Sequence, residues 1–389
     1  MKKIFENTQI AFALKSNNQL QLSYFLFKVM NSKLLVQLGT KILLLTLKLH
    51  LPVQNIIRKT IFSQFCGGVN EEDCLKVVDT LFTKEVSSVL DYAVEGKINE
   101  EEFDIAFVKT LKIIEFAKER QAIPFAVFKP TSFGRISLYE KITAKKILRD
   151  AEQEEWNRVV NRFDLVCQAA HQKDVPVLID AEESWMQTAV DSLVLEMMRK
   201  YNTEKVIVYN TLQMYRYDRM EYLKKINQEA KQGAFYIGIK LVRGAYMEKE
   251  NERAEENNYP SPICASKSET DENYNTALQY ITENLEFFSL FAGTHNEIST
   301  YYLMELMQKK NIVANDFRIW FGQLYGMSDT ISFNLAANGY NVAKYIPFGP
   351  VKEVIPYLIR RAQENTAVAG QTSRELEMIK KERSRRKQE

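Results

Sequence analysis

Residues 235–244 read FYIGIKLVRG, and this stretch decides the fold because it is a short, almost continuously apolar run that ends in charged residues. Strands look like this when helices cover a parallel sheet on both faces. Further runs of this kind follow residue 124, rich in Val, Ile, Phe or Tyr. They are FAVFKPT at 125–131, PVLIDAE at 176–182, KVIVYNT at 205–211, FFSLFAGTHN at 287–296, FRIWFGQLYG at 317–326 and NVAKYIPFG at 341–349.

The segments between these runs are polar-rich and long enough for one or two helices each. Strands that alternate with helices predict an α/β fold with a parallel sheet and crossover helices. The seven runs suggest an eight-stranded barrel, although the sequence does not show where the eighth strand lies. We predict an N-terminal helical region at 1–118, the barrel at 119–371 with its last helix over the mouth, and a basic C-terminal helix or tail at 372–389.

The composition excludes several classes of protein. The chain has 389 residues and a net charge of +2, which gives no basic footprint for nucleic acid. The four cysteines form no CxxC pair, and the three histidines fall in no HExxH pattern, so we predict neither a disulfide framework nor a metal site.

Polar residues stand at the end of every predicted strand. In a parallel barrel, function gathers at the C-terminal ends of the strands. One such residue is often only a loop residue, but a polar end on all seven runs is harder to assign to chance. These residues are Lys129, Asp180, Gln213, Lys240, Arg243, Thr294, His295, Asn296, Gln323 and Tyr345.

The stretch 345–365, YIPFGPVKEVIPYLIRRAQEN, places Arg360 beside Arg361 and Glu364 three residues later. Two neighbouring guanidinium groups suit a small carboxylate, because each donates two parallel hydrogen bonds. A solvated arginine pair near a helix end is the alternative. The chain has no G-x-G-x-x-G after a strand, no P-loop and no G-x-S-x-G, so a Rossmann-bound nicotinamide, a P-loop nucleotide and a serine nucleophile are not predicted.

These motifs resemble the proline dehydrogenase family. The matching pieces occur in the family's order from about residue 124 to the tail. They are FKPTS at 128–132, IDAEE at 179–183, KLVRGAY at 240–246, THN at 294–296, LYGM at 324–327 and the YxPxG to YLIRRxxEN segment at 345–365. IRKTIFSQFCGG at 57–68 is similar to the monofunctional bacterial and mitochondrial members.

The resemblance implies a distorted (βα)8 barrel that holds FAD and oxidises L-proline to Δ1-pyrroline-5-carboxylate in proline catabolism. A hydride would pass from C5 of proline to N5 of the flavin, and the electrons would go on to quinone. By resemblance, the catalytic residues are Lys129, Asp180, Tyr345, Arg360 and Arg361. Lys129, Arg360 and Arg361 would bind the proline carboxylate, and Asp180 would orient this basic cluster. Tyr345, Tyr357 and Leu324 would pack around the ring. The positions that match the family's flavin-binding residues are Gln213, Lys240, Arg243, Gly244, Ala245, Thr294, His295, Asn296 and Glu364.

Three other functions stay open at this point. A hydroxyproline dehydrogenase has the same fold but tends to have a small residue where Tyr345 stands. A barrel that binds proline or a nucleotide without turnover is the second. The third is a lyase or aldolase, in which Lys129 would form a Schiff base.

The sequence also predicts peripheral contact with a membrane. Residues 34–51 are the most apolar stretch, but lysines interrupt it at helical spacing, so we expect a buried or membrane-surface helix instead of a span. We predict a cytoplasmic protein on the inner face of the membrane, where quinone is reached. In the tail, Thr372 and Glu375 predict a capping box, and the basic end predicts a solvated, frayed terminus, with an anionic membrane surface as the alternative.

Overall fold

A computed structural model of the chain describes residues 3–49, 54–94, 96, 98–367 and 371–389. Within these residues eight parallel strands form a nearly closed barrel, hydrogen-bonded in the order β1-β8-β7-β6-β5-β4-β3-β2. The predicted α/β barrel is therefore confirmed. The strands are β1 Val86–Tyr92, β2 Ala126–Phe128, β3 Val177–Ile179, β4 Val208–Gln213, β5 Ile237–Val242, β6 Phe288–Gly293, β7 Ile319–Leu324 and β8 Val342–Phe348.

Helices precede the first strand and fill every connection between strands. Three further short turns are the 3-10 helices Ile4–Glu6 and Pro130–Ser132 and the π-helix Arg58–Phe62. The α-helices are α1 Thr8–Ala11, α2 Asn17–Met30, α3 Lys33–Lys48, α4 Gln54–Ile57, α5 Ser63–Phe65, α6 Glu71–Phe82, α7 Glu100–Lys118, α8 Ile136–Thr143, α9 Asp150–Lys173, α10 Ser184–Tyr201, α11 Arg219–Gly233, α12 Met247–Glu256, α13 Lys267–Glu283, α14 Glu297–Lys309, α15 Asp329–Ala336, α16 Ile355–Ala367 and α17 Gln371–Gln388.

Each of the seven predicted runs overlaps one strand, and β1 is the strand that the sequence did not locate. It pairs in parallel with β8, with Val89 opposite Tyr345. Its sequence, VSSVLDY, places Ser87, Ser88 and Asp91 at buried positions, so the strand lacks the continuous apolar run that marks the others. The buried polar residues therefore explain why the apolar pattern of the sequence did not reveal β1.

Packing divides the chain into two compact units. The first unit comprises Met1–Glu95, His295–Glu297 and Gly322–Glu389, and the second comprises Gly96–Thr294 and Ile298–Phe321. These units follow contacts and not chain order, so the divisions at residues 118 and 371 stay predictions.

The core of the first unit joins the two ends of the chain. Buried residues of α2, such as Phe27 and Met30, form one cluster with Tyr357 and Leu358 of α16 and Ile379 of α17. Apolar burial of this kind stabilises by about 25 cal/mol per Å². The N-terminal helices and α17 thereby support α16, the helix that carries the adjacent arginines.

The core of the second unit is aromatic. Phe125 makes edge-to-face contacts with Tyr209, Phe291 and Trp320, at centroid distances of 5.6, 5.3 and 5.2 Å. Such pairs are worth about 0.5–1.5 kcal/mol beyond the area that they bury. Phe125 lies just before β2, and Tyr209 and Phe291 lie on β4 and β6, so these contacts tie the strands of this unit together at one level.

Candidate active site

In the second unit, the predicted polar residues lie at the C-terminal ends of the strands. Lys129 directly follows β2, Asp180 follows β3, and Gln213 is the last residue of β4. Arg243 follows β5 and Thr294 follows β6. The parallel strands of this unit thus deliver these side chains to the end at which barrel enzymes place their active sites.

Asp180 and Lys240 form an ion pair within this group. The Lys240 Nζ lies 2.5 Å from Asp180 Oδ1, and the two side chains are 8% and 16% exposed. β5 places the lysine opposite Thr211 of β4, so its long side chain reaches the carboxylate across the strand ends. The predicted partner of a basic cluster, Asp180, therefore contacts one of the residues predicted to bind the cofactor.

Arg243 is held by three protein partners. Its Nε donates to Asp271 at 2.6 Å, Nη1 to Thr294 Oγ1 at 2.7 Å and Nη2 to Ser299 Oγ at 2.9 Å. Partial burial raises the pKa of Asp271, but hydrogen bonds from Lys267 and Arg243 hold it below its usual value. A guanidinium group has five N–H donors, so three bonds fix its plane and leave donors for a ligand.

Sequence reasoning did not give a role to Glu182, which braces the loop after β2. Its carboxylate accepts from the Thr131 N–H at 2.9 Å and the Thr131 hydroxyl at 2.7 Å. Gln213 donates to the Glu182 carbonyl at 2.6 Å. Burial raises the pKa of Glu182 to about 7. The sequence did contain a sign of this contact. Thr131 belongs to the FKPTS motif and Glu182 to the IDAEE motif, and the two motifs follow neighbouring strands.

Gly244 occupies a position that excludes a side chain. Its φ is +128°, and a Cβ atom would stand 2.6 Å from the ring of Tyr215. Glycine is the residue that tolerates both conditions. Ala245 follows it and is exposed, so the backbone after Arg243 is open to a ligand on that side.

In the first unit, the predicted residues lie on β7, β8 and α16. Leu324 ends β7, and Tyr345 is a buried residue of β8. Tyr357, Arg360 and Arg361 lie on α16, with the Arg361 guanidinium 5.4 Å from the centre of the Tyr357 ring. Burial raises the pKa of the Tyr357 hydroxyl to about 12, which keeps it neutral.

Neighbouring positions on a helix lie about 100° apart, so Arg360 and Arg361 point to adjacent faces of α16. Both are half-buried. The side chain of Glu364 lies outside the described residues.

His295 and Asn296 lie in the loop between β6 and α14 and belong to the first unit. The His295 Nδ1 lies 2.8 Å from the Ser328 hydroxyl. Both residues are half-buried. The structure therefore places the imidazole at the first turn of α15, through a contact that the sequence did not predict.

The capping box that the sequence predicts for Thr372 and Glu375 stays a prediction, because the structure describes the side chain of Glu375 alone. Glu375 is buried, and it accepts a hydrogen bond from the Ser328 N–H; the side chain of Thr372 lies outside the described residues. Near the end of α17, Arg386 donates to the carbonyls of Phe12 and Lys15, each at 2.8 Å, and the last three residues, Lys387, Gln388 and Glu389, are exposed as the sequence predicts.

The described parts of the chain contain neither a metal-binding cluster nor a membrane-spanning helix. No group of three His, Cys, Asp or Glu residues there is arranged to hold a metal ion. None of the described helices combines the length and the apolarity that a membrane span requires.

The fold and these side chains define a class: an α/β barrel whose strand ends carry basic and hydrogen-bonding groups. A profile of the family described as proline dehydrogenase matches residues 74–374. The chain belongs to the proline dehydrogenase family, whose members are oxidoreductases and generally flavin-dependent.

Several curated proteins are similar to the chain. A protein named "Carbapenem antibiotics biosynthesis protein CarD", from Pectobacterium carotovorum subsp. carotovorum, is 38% identical over 83% of this chain and 84% of its own. "Proline dehydrogenase 1, mitochondrial" of Dictyostelium discoideum is 31% identical over 99% of this chain and 75% of its own. The human protein of that name is 37% identical over 59% of this chain, but the match spans only 39% of the human protein.

Among solved structures, proline utilization A (PutA) from Bdellovibrio bacteriovorus, inactivated by N-propargylglycine, superimposes with a TM-score of 0.73. The match covers 95% of this chain and 39% of the PutA chain, at 20% identity. At that identity the likeness supports the barrel fold alone.

Proposed function

We propose that the protein is an FAD-dependent proline dehydrogenase, which oxidises L-proline to Δ1-pyrroline-5-carboxylate in proline catabolism and passes the electrons to quinone. The observation that carries this proposal is the pair of adjacent arginines on α16, directly after the last strand, in a chain of this family. Adjacent guanidinium groups bind a small carboxylate well, and carboxylate is the one charged group that proline and its product share.

The substrate's carboxylate would be bound by Arg360 and Arg361, with Lys129 as a third cation by the family pattern. Each arginine donates paired, charge-assisted hydrogen bonds that fix the ring in one orientation. The buried ring of Tyr345 and the side chain of Leu324 would provide apolar contacts for the pyrrolidine ring. Their role is to orient C5 and to exclude water.

The second unit offers groups that fit a flavin cofactor. Lys240 and Arg243 are cations fixed by carboxylates, and the backbone at Gly244 and Ala245 is exposed beside them. Fixed positive charge of this kind suits the pyrophosphate or the N1–C2=O edge of FAD. FAD, when bound, would accept the hydride from C5. Gln213, Ala245, Thr294, His295, Asn296 and Glu364 complete the proposed cofactor set.

Hydroxyproline is the nearest alternative substrate. Its ring hydroxyl needs room beside the residue at position 345, and the Tyr345 side chain is 7% exposed in a packed strand. Proline is therefore favoured. Because one relative is named for carbapenem biosynthesis, a set of proline analogues belongs in the same experiment.

The test is an anaerobic titration of the purified flavoprotein with L-proline, followed by the visible absorbance of the flavin. We expect bleaching by proline, weakened about 10- to 100-fold in apparent affinity by Arg360→Ala or Arg361→Ala, since each loses a charge-assisted contact worth about 1.5–3 kcal/mol. Arg199→Ala is the matched control, because that arginine pairs with Glu229 on the surface of the second unit.

Two results would change the proposal. Bleaching by hydroxyproline alone would transfer the assignment to that substrate. A colourless protein that takes up no added FAD would contradict it, and a borohydride-trapped adduct at Lys129 would then support the lyase alternative.

Quinone reduction requires contact with a bilayer, and α3 offers a surface for it. Leu34, Leu38, Leu45 and Leu49 are between 56% and 77% exposed, and their spacing places them on one face of the helix or its continuation. Ile42, on the same face, is 53% exposed. The sequence of this helix, KLLVQLGTKILLLTLK, contains lysines and no acidic residue. Exposed leucines beside cations are typical of helices that bind the surface of an anionic membrane, here the inner face on the cytoplasmic side.

Co-sedimentation with anionic liposomes tests this contact. We expect Leu38→Glu together with Leu45→Glu to abolish binding and to leave proline oxidation by a soluble acceptor unchanged. Ile147→Glu is the matched control, because that side chain is 97% exposed in the second unit. Equal binding by all three proteins would exclude α3 as the membrane surface.

A further inference from the structure

Helix α17 reaches the THN segment through a chain of two hydrogen bonds. The Glu375 carboxylate accepts from the Ser328 N–H, and the Ser328 hydroxyl lies 2.8 Å from His295 Nδ1. Glu375 is 6% exposed and Ser328 is 3% exposed. We propose that Glu375 and Ser328 are positioning residues that fix the orientation and the tautomer of the His295 imidazole.

A second tie connects the same helix to the same segment. Arg374, the neighbour of Glu375, donates from Nε to Glu297 at 3.0 Å and also contacts Glu6. Glu297 begins α14 and lies two residues after His295. Helix α17 therefore holds the segment on both sides of Asn296, so it stabilises the loop and not only one side chain.

Ser328 requires a brace because its backbone is strained. Its φ and ψ are 50° and 41°, a left-handed conformation that costs a residue with a side chain about 1–2 kcal/mol. Its N–H is satisfied by Glu375, and its carbonyl accepts from the Ser332 N–H at 3.0 Å. Bonds at both ends of this residue fix its backbone, and from that backbone the hydroxyl reaches the imidazole.

Buried charges surround Glu375. Asp329 pairs with Lys344 at 2.8 Å and with Lys15 at 3.0 Å, and these three groups and Ser328 are what Glu375 faces. Burial, and then the Asp329 charge, raise the pKa of Glu375 to about 7, whereas the lysines and the Ser328 N–H oppose that rise.

The consequence for His295 follows from imidazole chemistry. The contact with Ser328 fixes the plane of the ring and the direction of its other nitrogen. A hydroxyl either donates to Nδ1 or accepts from it, and the role that Ser328 takes sets the tautomer. The geometry of this brace stands without any cofactor. Its functional importance rests on the proposed FAD-dependent reaction, in which His295 is a cofactor-binding residue.

Nuclear magnetic resonance of ¹⁵N-histidine-labelled protein tests the brace directly, because the chain has three histidines. His50→Gln and His171→Gln assign the spectrum. We expect one tautomer of His295 in the unaltered protein. Ser328→Gly removes the hydroxymethyl side chain, and glycine adopts the left-handed conformation without strain, so we expect the backbone to be kept and mixed tautomers in that variant.

Variants of Glu375 test the first bond of the chain. Glu375→Ala should also give mixed tautomers, whereas Glu375→Gln keeps an oxygen that accepts from Ser328 and should preserve the single tautomer. Glu382→Ala is the matched control, because Glu382 is a fully buried carboxylate on α17 that pairs with Arg385 and Arg386 instead. It should lower stability without changing His295.

The outcomes separate this inference from the proposed function. An unchanged His295 spectrum in Ser328→Gly and in Glu375→Ala would overturn the brace, even if proline bleaches the flavin. A changed spectrum in a protein that binds no FAD would support the brace and contradict the proposed function. If both hold, Ser328→Gly should weaken FAD binding about fivefold, the usual effect of one lost hydrogen bond. If Glu375→Ala does not fold, Ser328→Gly alone decides.

Discussion

Replacing Asp180 with alanine should destabilise the protein, because it removes the carboxylate paired with the Lys240 ammonium. The two groups are 2.5 Å apart, and their side chains are 16% and 8% exposed. Removal of one partner of a fully buried pair costs about 3–5 kcal/mol, whereas an exposed pair is worth about 0–1 kcal/mol. Since this pair is mostly buried, we expect the free energy of unfolding to fall by about 2–4 kcal/mol.

Urea denaturation followed by circular dichroism measures this loss, and a double-mutant cycle isolates the pair. Lys240→Met removes the ammonium and keeps an apolar side chain of similar length. The double variant Asp180→Ala/Lys240→Met should recover part of the stability that Asp180→Ala loses, because no uncompensated charge then remains buried. We expect all three variants to bind FAD more weakly than the unaltered protein does. We also expect proline to bleach the flavin less in each of them.

The stability and the flavin-binding measurements together show whether the Asp180–Lys240 pair serves ligand binding or only the stability of the fold. Recovery of stability without recovery of flavin binding means that the pair is retained for the ligand. A loss below about 1 kcal/mol in Asp180→Ala would refute the reasoning from burial, since that is the range of exposed pairs. Full flavin binding in the double variant would refute the proposed role of Lys240.

The other predictions concern buried groups of the first unit. The folded protein binds a proton at Glu375 more tightly than the unfolded chain does, because the pKa is raised from 4.5 to about 7. This group's contribution to stability is therefore lost as pH rises through that interval, and Glu375→Gln should gain up to about 3 kcal/mol relative to the unaltered protein between pH 5 and 8, measured by urea denaturation at each pH. Lys344→Met should lower the free energy of unfolding by about 2–4 kcal/mol, because Lys344 is fully buried and pairs with Asp329; a change below about 1 kcal/mol in the same assay would contradict this. Gly326→Ala should prevent soluble expression or strongly lower the melting temperature, since its φ is +79° and a Cβ would stand 1.9 Å from the Gln64 carbonyl oxygen. A melting temperature equal to that of the unaltered protein would contradict that packing.

The strands were predictable where burial on both faces produced an uninterrupted apolar run. FFSLFAG and NVAKYIPFG gave β6 and β8 because most of their residues are apolar. β1 was not predictable in this way, since Ser88 and Asp91 are buried in it and interrupt the pattern. β8 was predictable although Lys344 is buried in it, because apolar residues continue on both sides of the lysine, whereas the polar residues of β1 leave no apolar run longer than two residues.

The strand-end residues were predictable as a set, but their partners were not. Asp180 and Lys240 are separated by 60 residues, and nothing local to either predicts that they pair. The same holds for Glu375, whose spacing from Thr372 suggested a local cap although its partner, Ser328, lies 47 residues away. Local spacing predicts local hydrogen bonds, and a buried carboxylate is instead satisfied by whatever donor the fold brings to it.

The position of Glu375 argues for a role beyond stability. A buried carboxylate of raised pKa stabilises little, and well-packed apolar side chains commonly replace buried charges at no cost. At this site a methionine of similar volume would fill the space, but it would leave the Ser328 N–H without an acceptor in a left-handed turn. That turn aims a hydroxyl at His295, in the segment that the family pattern assigns to the cofactor. A carboxylate at position 375 is thus explained by the direction that it gives to Ser328, which is the property that the tautomer of His295 reports.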